Sequence, residues 1–148
     1  MEDMMSIKRK ASAVWQGTLK EGKGTISTDS GVLKNIQYSF GTRFENGAGT
    51  NPEELIAAAH AACFSMALSG QLGSAGMTAQ SINTTATLSM EKLDAGFTVT
   101  AIHLDLSANI PGADKAKFET AANNAKAGCP ISRLLSNAKI TMDAKLVS

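Results

Sequence analysis

The sequence predicts an α+β fold in which antiparallel strands pack around one long, buried helix. The first observation behind this prediction is the stretch from Leu55 to Thr78, which contains no Asp, Glu, Lys or Arg. Its apolar residues recur at helical spacing and leave little polar face, which is typical of a helix covered on most sides. The second observation is that the flanking segments alternate apolar and polar residues, as half-buried strands do. With no internal repeat or linker, residues 1–148 are predicted to form a single domain.

Three strands are predicted before the long helix, at residues 11–15, 25–28 and 37–44. The third is predicted because Tyr38, Phe40 and Thr42 alternate with other residues and fall on one face of a strand. A glycine-rich loop follows it and ends at Asn51 and Pro52, where the long helix is predicted to begin. Proline is favoured at the first helical position, and acidic residues in the first turn interact favourably with the helix dipole.

The long helix is expected to end between Leu72 and Ala75, where glycines follow. After it, two long strands joined by a turn are predicted to form a β-hairpin. The apolar positions of the second of these strands change phase between Ala101 and Ile102, which permits either a β-bulge or a strand covered on both faces. The elements predicted in this half are strands at residues 82–90, 97–110 and 140–146, a helix at residues 114–127, and a short helix that begins at residues 129–132.

Composition and charge argue against several classes of function. Fourteen Lys and Arg against 13 Asp and Glu leave a net charge of +1, so no basic surface for nucleic acid or an anionic membrane is expected. The basic residues near the N-terminus precede no apolar run, so we expect no export signal and a cytoplasmic location. The stretch from Leu55 to Thr78 is long enough to cross a bilayer, but its Ala, Gly and Ser content, with His60, favours a helix inside a soluble protein.

The two cysteines lie 66 residues apart, a spacing that fits neither a zinc finger nor a C-x-x-C motif. Cys63 lies about three turns into the apolar helix, where a small buried thiol is the ordinary interpretation. Cys129 precedes Pro130 at the start of the short helix, where free backbone N–H groups and the helix dipole stabilise a thiolate. Cys129 therefore fits both a reactive thiol and a structural helix cap, and neither cysteine is decisive by itself.

Arg43 and Glu53 are candidates for a polar pair beside a thiolate. Taken singly, Arg43 is an arginine at the end of a predicted strand, and Glu53 is an acid in the first turn of a helix. Together, a guanidinium and a carboxylate can form two parallel hydrogen bonds, which would hold the cation rigid.

His60 precedes Cys63 by one helical turn, which suggests either a Cys–His nucleophile or a metal ligand. Two ligands are too few for a structural zinc site, and the other histidine, His103, lies on a predicted strand far away in sequence. We therefore interpret His60 as a helix-packing residue and expect no metal site.

Four segments of the chain form a specific pattern, and they are Thr42–Glu45, Gly49–Leu55, Ala58–Met66 and Ala127–Pro130. In order, spacing and total length they resemble the OsmC/Ohr family, the osmotically inducible protein C and organic hydroperoxide resistance peroxidases. The resemblance covers essentially the whole chain. The segment from Gly22 to Thr28 makes it closest to the OsmC branch.

The resemblance implies a thiol-dependent peroxidase that reduces organic hydroperoxides to alcohols. It assigns Cys63 as the peroxidatic cysteine, Cys129 as the resolving cysteine that forms a disulfide with it, and Arg43 with Glu53 as the activating pair. It also implies an intertwined homodimer in which antiparallel sheets wrap around central helices. The expected reductant is a small or protein-bound dithiol, and no metal, haem, flavin or other cofactor is expected.

The spacing of these residues leads to one further expectation. Ten residues of straight helix separate Glu53 from Cys63, which is about 15 Å along the helix axis. The two side chains cannot meet within one chain at that distance. We therefore expect Glu53, with Arg43, to reach Cys63 of the partner subunit.

Two other classes of function remain open at the level of the sequence. A stress protein that binds apolar ligands without catalysis would need a cavity but neither thiol. A thiol–disulfide oxidoreductase would act on protein disulfides without a peroxide, and the lack of a C-x-x-C motif argues against it.

Overall fold

The computed structural model describes residues 6–147 and contains helices and two small sheets, which confirms the predicted α+β class. The described residues form two compact units, divided between Glu53 and Glu54. The elements are β1 (Ala11–Gln16), β2 (Lys23–Thr28), β3 (Ile36–Tyr38), α1 (Phe40–Phe44), α2 (Pro52–Ser74), β4 (Ser81–Leu93), β5 (Gly96–Asn109), α3 (Lys115–Gly128), α4 (Pro130–Leu134) and β6 (Lys139–Val147).

The first unit contains an antiparallel sheet in the order β1-β2-β3. Gly24 lies at its centre, opposite Trp15 on one neighbouring strand and Tyr38 on the other. The two aromatic rings lie on either side of this glycine, with centroids 5.4 Å apart, a favourable separation for an aromatic pair. A Cβ atom at Gly24 would lie 2.5 Å from Tyr38 Cε1 and 2.6 Å from Trp15 Cε3, so the ring pair requires glycine there.

Replacing Gly24 by alanine is expected to lower the free energy of unfolding by about 1–3 kcal/mol, because the rings must move apart to admit the methyl group. Urea unfolding followed by the fluorescence of Trp15, the only tryptophan, measures this effect. Gly41→Ala is the matched control in the same unit, since its Cβ would meet no atom closer than 3.6 Å. Equal urea midpoints for both variants would contradict the requirement for glycine at position 24.

The predicted strand at residues 37–44 is wrong beyond Tyr38, because the chain turns into helix α1 there. Ser39 and Thr42 form a capping box: Ser39 Oγ accepts from the Thr42 N–H at 3.3 Å, and Thr42 Oγ1 accepts from the Ser39 N–H at 2.9 Å. These bonds satisfy backbone groups that a helix start leaves unpaired. Phe40 and Phe44 then lie one turn apart, with ring centroids at 5.0 Å.

The second unit contains a sheet in the order β4-β5-β6. β4 and β5 pair antiparallel as predicted, but β6 runs parallel to β5, which corrects the expectation of purely antiparallel sheets. The helices α3 and α4 supply the crossover that a parallel pair requires. The predicted bulge is present in β5: Ser89 pairs with Ala101 and Met90 with Val99, which leaves Thr100 as the extra residue.

Helix α2 buries one face in the core of the second unit, through Phe64, Leu68 and Leu72. The sequence predicts a helix covered on most sides, whereas within one chain a second apolar face is exposed. This exposed face consists of Ala58, Ala59, Ala62 and Met66, and 78% of Met66 is accessible.

Among the described residues, α2 is the one helix with the length and composition to span a bilayer, and its fully buried residues favour its interpretation as a core helix.

Candidate active site

Arg43 and Glu53 form the bidentate ion pair that the sequence suggests. Arg43 Nε donates to Glu53 Oε1 at 2.9 Å, and Arg43 Nη2 donates to Glu53 Oε2 at 3.0 Å. The hydrogen bonds to Glu53 raise the pKa of Arg43, so the guanidinium stays charged. The carboxylate is the more buried partner, with 14% of its side chain exposed against 36% for Arg43. The ion pair therefore holds the Arg43 guanidinium in a fixed orientation and leaves part of its surface accessible.

The loop between α1 and α2 holds this pair in place. The side-chain amide of Asn51 donates to the carbonyl of Thr42 at 2.9 Å, which ties the start of α2 to the helix that carries Arg43. Gly47 donates its N–H to the carbonyl of Gly41 at 3.0 Å, and a Cβ at Gly47 would lie 2.9 Å from the Gly41 carbonyl carbon. The glycine in this loop therefore permits a close approach to α1.

An apolar cavity of about 210 Å³ lies beside Arg43 in the first unit. It is lined by Trp15, Leu19, Tyr38, Ser39, Phe40, Arg43 and Phe44. The guanidinium carbon of Arg43 lies 5.0 Å from the centroid of the Phe44 ring, within the range of a cation–π contact. Every aromatic residue before position 45 lines this cavity. That clustering of aromatic residues before position 45 is visible in the sequence.

Cys63 and Cys129 are in direct contact in the second unit, although 66 residues separate them in the chain. Their Sγ atoms lie 2.8 Å apart, and both are free thiols. Cys63 is half-buried on α2, whereas Cys129 is fully buried immediately before α4. At this separation, disulfide formation requires little movement of either helix.

The surroundings of the two thiols shift their pKa values in opposite directions. Burial raises the pKa of Cys63, and the contact with Cys129 raises it further. Burial also acts to raise the pKa of Cys129, but the contact with Cys63 and the polar groups of Ser132 and Ile131 lower this pKa overall. Ile131 and Ser132 belong to the first turn of α4, where N–H groups and the helix dipole favour a thiolate. The two thiols therefore differ in the direction in which the surroundings of the second unit shift their pKa values.

His60 is hydrogen-bonded rather than only packed, which the sequence does not reveal. Its Nε2 lies 2.7 Å from Ser132 Oγ. His60 is fully buried and Ser132 is 3% exposed. Because these residues lie 72 positions apart in the chain, no local pattern points to their contact.

Among residues 6–147, one group of His, Cys, Asp or Glu side chains lies close enough together to hold a metal ion, and it consists of His103, Asp105 and Asp143. His103 Nε2 lies 3.1 Å from Asp143 Oδ2, and its Nδ1 lies 2.6 Å from Thr141 Oγ1. Both ring nitrogens thus have partners within the protein. Neither cysteine belongs to this group.

Comparison with known proteins gives consistent matches. Residues 45–145 match the family model described as OsmC-like protein. The chain is 56% identical to peroxiredoxin OsmC of Escherichia coli (strain K12), over 97% of this chain and 100% of that protein. It is 33% identical to the organic hydroperoxide resistance protein OhrB of Bacillus subtilis (strain 168), over 74% of this chain and 79% of that protein.

A solved structure matches over nearly the whole chain as well. The structure of an organic hydroperoxide resistance protein from Elizabethkingia anophelis superimposes with a TM-score of 0.73 at 25% identity, and the match covers 97% of this chain and 100% of that one. The match to the family model and the nearly full-length match to peroxiredoxin OsmC together establish the family of this chain. This chain belongs to the OsmC-like protein family.

Proposed function

We propose that this protein is a two-cysteine peroxidase that reduces organic hydroperoxides to alcohols. The observation that carries the proposal is the contact between Cys63 and Cys129 at 2.8 Å. Two thiols in contact can donate two electrons to a substrate and are themselves oxidised to a disulfide. The relatives named peroxiredoxin and organic hydroperoxide resistance protein support the same chemistry.

In the first step, the Cys63 thiolate attacks the O–O bond of the hydroperoxide. The distal oxygen stays on sulfur as a sulfenic acid, and the alkoxide leaves and takes up a proton to become the alcohol. The apolar surroundings that raise the pKa of Cys63 work against this step, so a cation is needed. Arg43 supplies that cation and a donor to the peroxide oxygen, while Glu53 fixes its orientation.

In the second step, Cys129 attacks the sulfur of the Cys63 sulfenic acid. A disulfide forms and hydroxide leaves, which takes up a proton to become water. The disulfide protects Cys63 from irreversible overoxidation. A small or protein-bound dithiol then returns both cysteines to thiols by exchange, and the reducing cytoplasm is the compartment that suits this cycle.

We propose that the active form is a homodimer in which Arg43 and Glu53 of one subunit activate Cys63 of the partner subunit. Ten residues of α2 lie between Glu53 and Cys63, which is about 15 Å along a helix. The exposed apolar face of α2 also supports a second copy, because its alanines permit close helix packing. Since both units of each chain then contribute to activity, we regard residues 1–148 as one functional domain.

Replacing Met66 by aspartate is expected to weaken this dimer by at least about tenfold in its dissociation constant, because a charge would be buried between the subunits. Sedimentation equilibrium over a range of concentrations measures the change. Met66→Leu keeps the apolar surface and is expected to remain dimeric. A wild-type protein that is monomeric at all concentrations would contradict the proposed dimer.

The apolar cavity beside Arg43 supports organic substrates over hydrogen peroxide. Cumene hydroperoxide is expected to give a kcat/KM at least about tenfold above that of hydrogen peroxide, since burying about 60 Å² of apolar surface contributes about 1.5 kcal/mol. Consumption of each peroxide in the presence of dithiothreitol measures the ratio. Equal values for the two peroxides would contradict a role for apolar binding.

A further inference from the structure

The face of the second sheet that points away from its core carries a histidine and two aspartates in close contact. Residues two apart on a strand share a face, so His103 and Asp105 lie together on β5, on the side opposite to the core residues Ile102 and Leu104. The parallel register places Asp143 of β6 directly beside Asp105. Among residues 6–147, these three side chains are the group close enough together to hold a metal ion.

The separations between the three side chains match the coordination sphere of a small divalent ion. His103 Nε2 lies 3.1 Å from Asp143 Oδ2 and 3.6 Å from Asp105 Oδ1, and the three ligand atoms all lie within 4.8 Å of one another. Two ligand atoms held at about 2.1 Å from a tetrahedral ion lie about 3.4 Å apart. One ion can therefore be bound by all three side chains with only small movements of their ends.

Thr141 holds the histidine ring in the orientation that a metal ligand requires. It is the neighbour of His103 on β6, and its Oγ1 lies 2.6 Å from His103 Nδ1. A histidine that binds a metal through Nε2 commonly donates its Nδ1–H to an oxygen of this kind. With the ring proton on Nδ1, Nε2 carries a lone pair, and three acceptors face one another.

The two aspartates repel each other in the sheet unless a cation lies between them. Like charges on neighbouring strands are destabilising when they are paired directly, as Asp105 and Asp143 are. Within the part of the chain that the structure describes, the ion pairs of both carboxylates are with His103 and not with Lys145. Lys145 lines a cavity of about 410 Å³ beside the two carboxylates, which leaves room for a water molecule as the fourth ligand of an ion.

We propose that His103, Asp105 and Asp143 bind a first-row divalent transition-metal ion, which fastens the last strand, β6, to β5. The nitrogen ligand favours such an ion over Mg²⁺ and Ca²⁺, which prefer oxygen ligands alone. The site differs from the sequence-based expectation of no metal site, because Asp143 joins the other two ligands only through the pairing of β5 with β6. Neither cysteine belongs to the group, so the site is independent of the peroxidase cycle.

Equilibrium dialysis against Zn²⁺, with protein that carries no affinity tag, tests the proposal. The starting protein is the double variant Cys63→Ser, Cys129→Ser, because thiolates also bind zinc. It is expected to bind one zinc ion per chain with a dissociation constant below about 100 µM, and at least about a hundredfold more tightly than Mg²⁺. A dissociation constant above that value would overturn the proposal.

Variants of the ligands locate the bound ion. Asp143→Asn and His103→Val are expected to weaken zinc binding at least about a hundredfold, since even the loss of an outer hydrogen-bond partner costs about tenfold to a hundredfold. Thr141→Val removes only the oxygen that orients the ring and is expected to weaken binding about tenfold. Asp94→Asn is the matched control, because it removes the same charge from an exposed aspartate in the turn between β4 and β5. Equal affinities of Asp143→Asn and Asp94→Asn for zinc would contradict the site.

A second measurement keeps both cysteines and does not depend on the folding of the double variant. In the otherwise unaltered chain, Asp143→Asn is expected to bind one zinc ion fewer than Asp94→Asn. Zinc at ten times its dissociation constant is expected to slow hydrogen exchange of the β6 amides about tenfold in Asp94→Asn and to leave it unchanged in Asp143→Asn. Exchange that is insensitive to zinc in both variants would overturn the role in fastening β6. Neither readout uses peroxidase activity, so a failure of the proposed function leaves both results unaffected.

Discussion

Replacing Cys63 by serine is expected to reduce hydroperoxide consumption to the uncatalysed background. A serine hydroxyl stays protonated at neutral pH and cannot attack the O–O bond, whereas a thiolate can. Consumption of cumene hydroperoxide with dithiothreitol as the reductant measures the loss. Cys129→Ser is the matched variant, because it is expected to complete the first turnover, accumulate sulfenic acid on Cys63 and then turn over slowly.

Turnover that is indifferent to Cys63 would contradict the two-cysteine mechanism. The cavity of about 210 Å³ in the first unit would then favour a protein that binds apolar ligands, since such a protein requires neither thiol. Binding of cumyl alcohol, measured by calorimetry on the double variant Cys63→Ser, Cys129→Ser, is the corresponding observation.

Replacing Arg43 by alanine is expected to lower kcat/KM for organic hydroperoxides by about a hundredfold to a thousandfold, the usual effect of removing a donor that stabilises a developing negative charge. Burial raises the pKa of Cys63, so without the cation less thiolate is present at neutral pH. The activity of Arg43→Ala is therefore expected to recover partly as the pH rises. Arg43→Lys keeps the charge but loses the bidentate bond to Glu53, and is expected to lie between wild type and alanine.

A mixing experiment tests whether the ion pair acts across subunits. In a heterodimer of Arg43→Ala with Cys63→Ser, the intact Arg43 of one chain meets the intact Cys63 of the other. Each such dimer is expected to regain one competent site. If the verified heterodimer shows no recovery, the pair acts within its own chain and the proposed arrangement is contradicted.

The sequence predicts the elements of this fold where local patterns decide them. The long helix is clear because Pro52 starts it and no charged residue interrupts residues 55–78. The short helix α1 is missed because Phe40 and Thr42 continue the alternation of a strand, while a capping box at Ser39 and Thr42 determines the structure. The parallel direction of β6 is missed for another reason: it depends on the crossover through α3 and α4, which no pattern within β6 encodes.

The candidate site, like the fold, is predicted from the sequence only where local patterns or residue types decide it. The ion pair of Arg43 and Glu53 is predictable because a guanidinium and a carboxylate can form two parallel hydrogen bonds. The structure contains this pair. The juxtaposition of Cys63 and Cys129 is implied by resemblance to a family, because their separation in the chain gives no local signal. The bond from His60 to the second cysteine's helix joins distant segments in the folded core, so only the structure shows it.

The most direct test of this account is to oxidise fully reduced protein with one equivalent of cumene hydroperoxide and map its disulfides without reduction. We predict an intrachain disulfide between Cys63 and Cys129, with one cumyl alcohol released per disulfide. Unchanged free thiols, or cysteines linked only between chains, would contradict it.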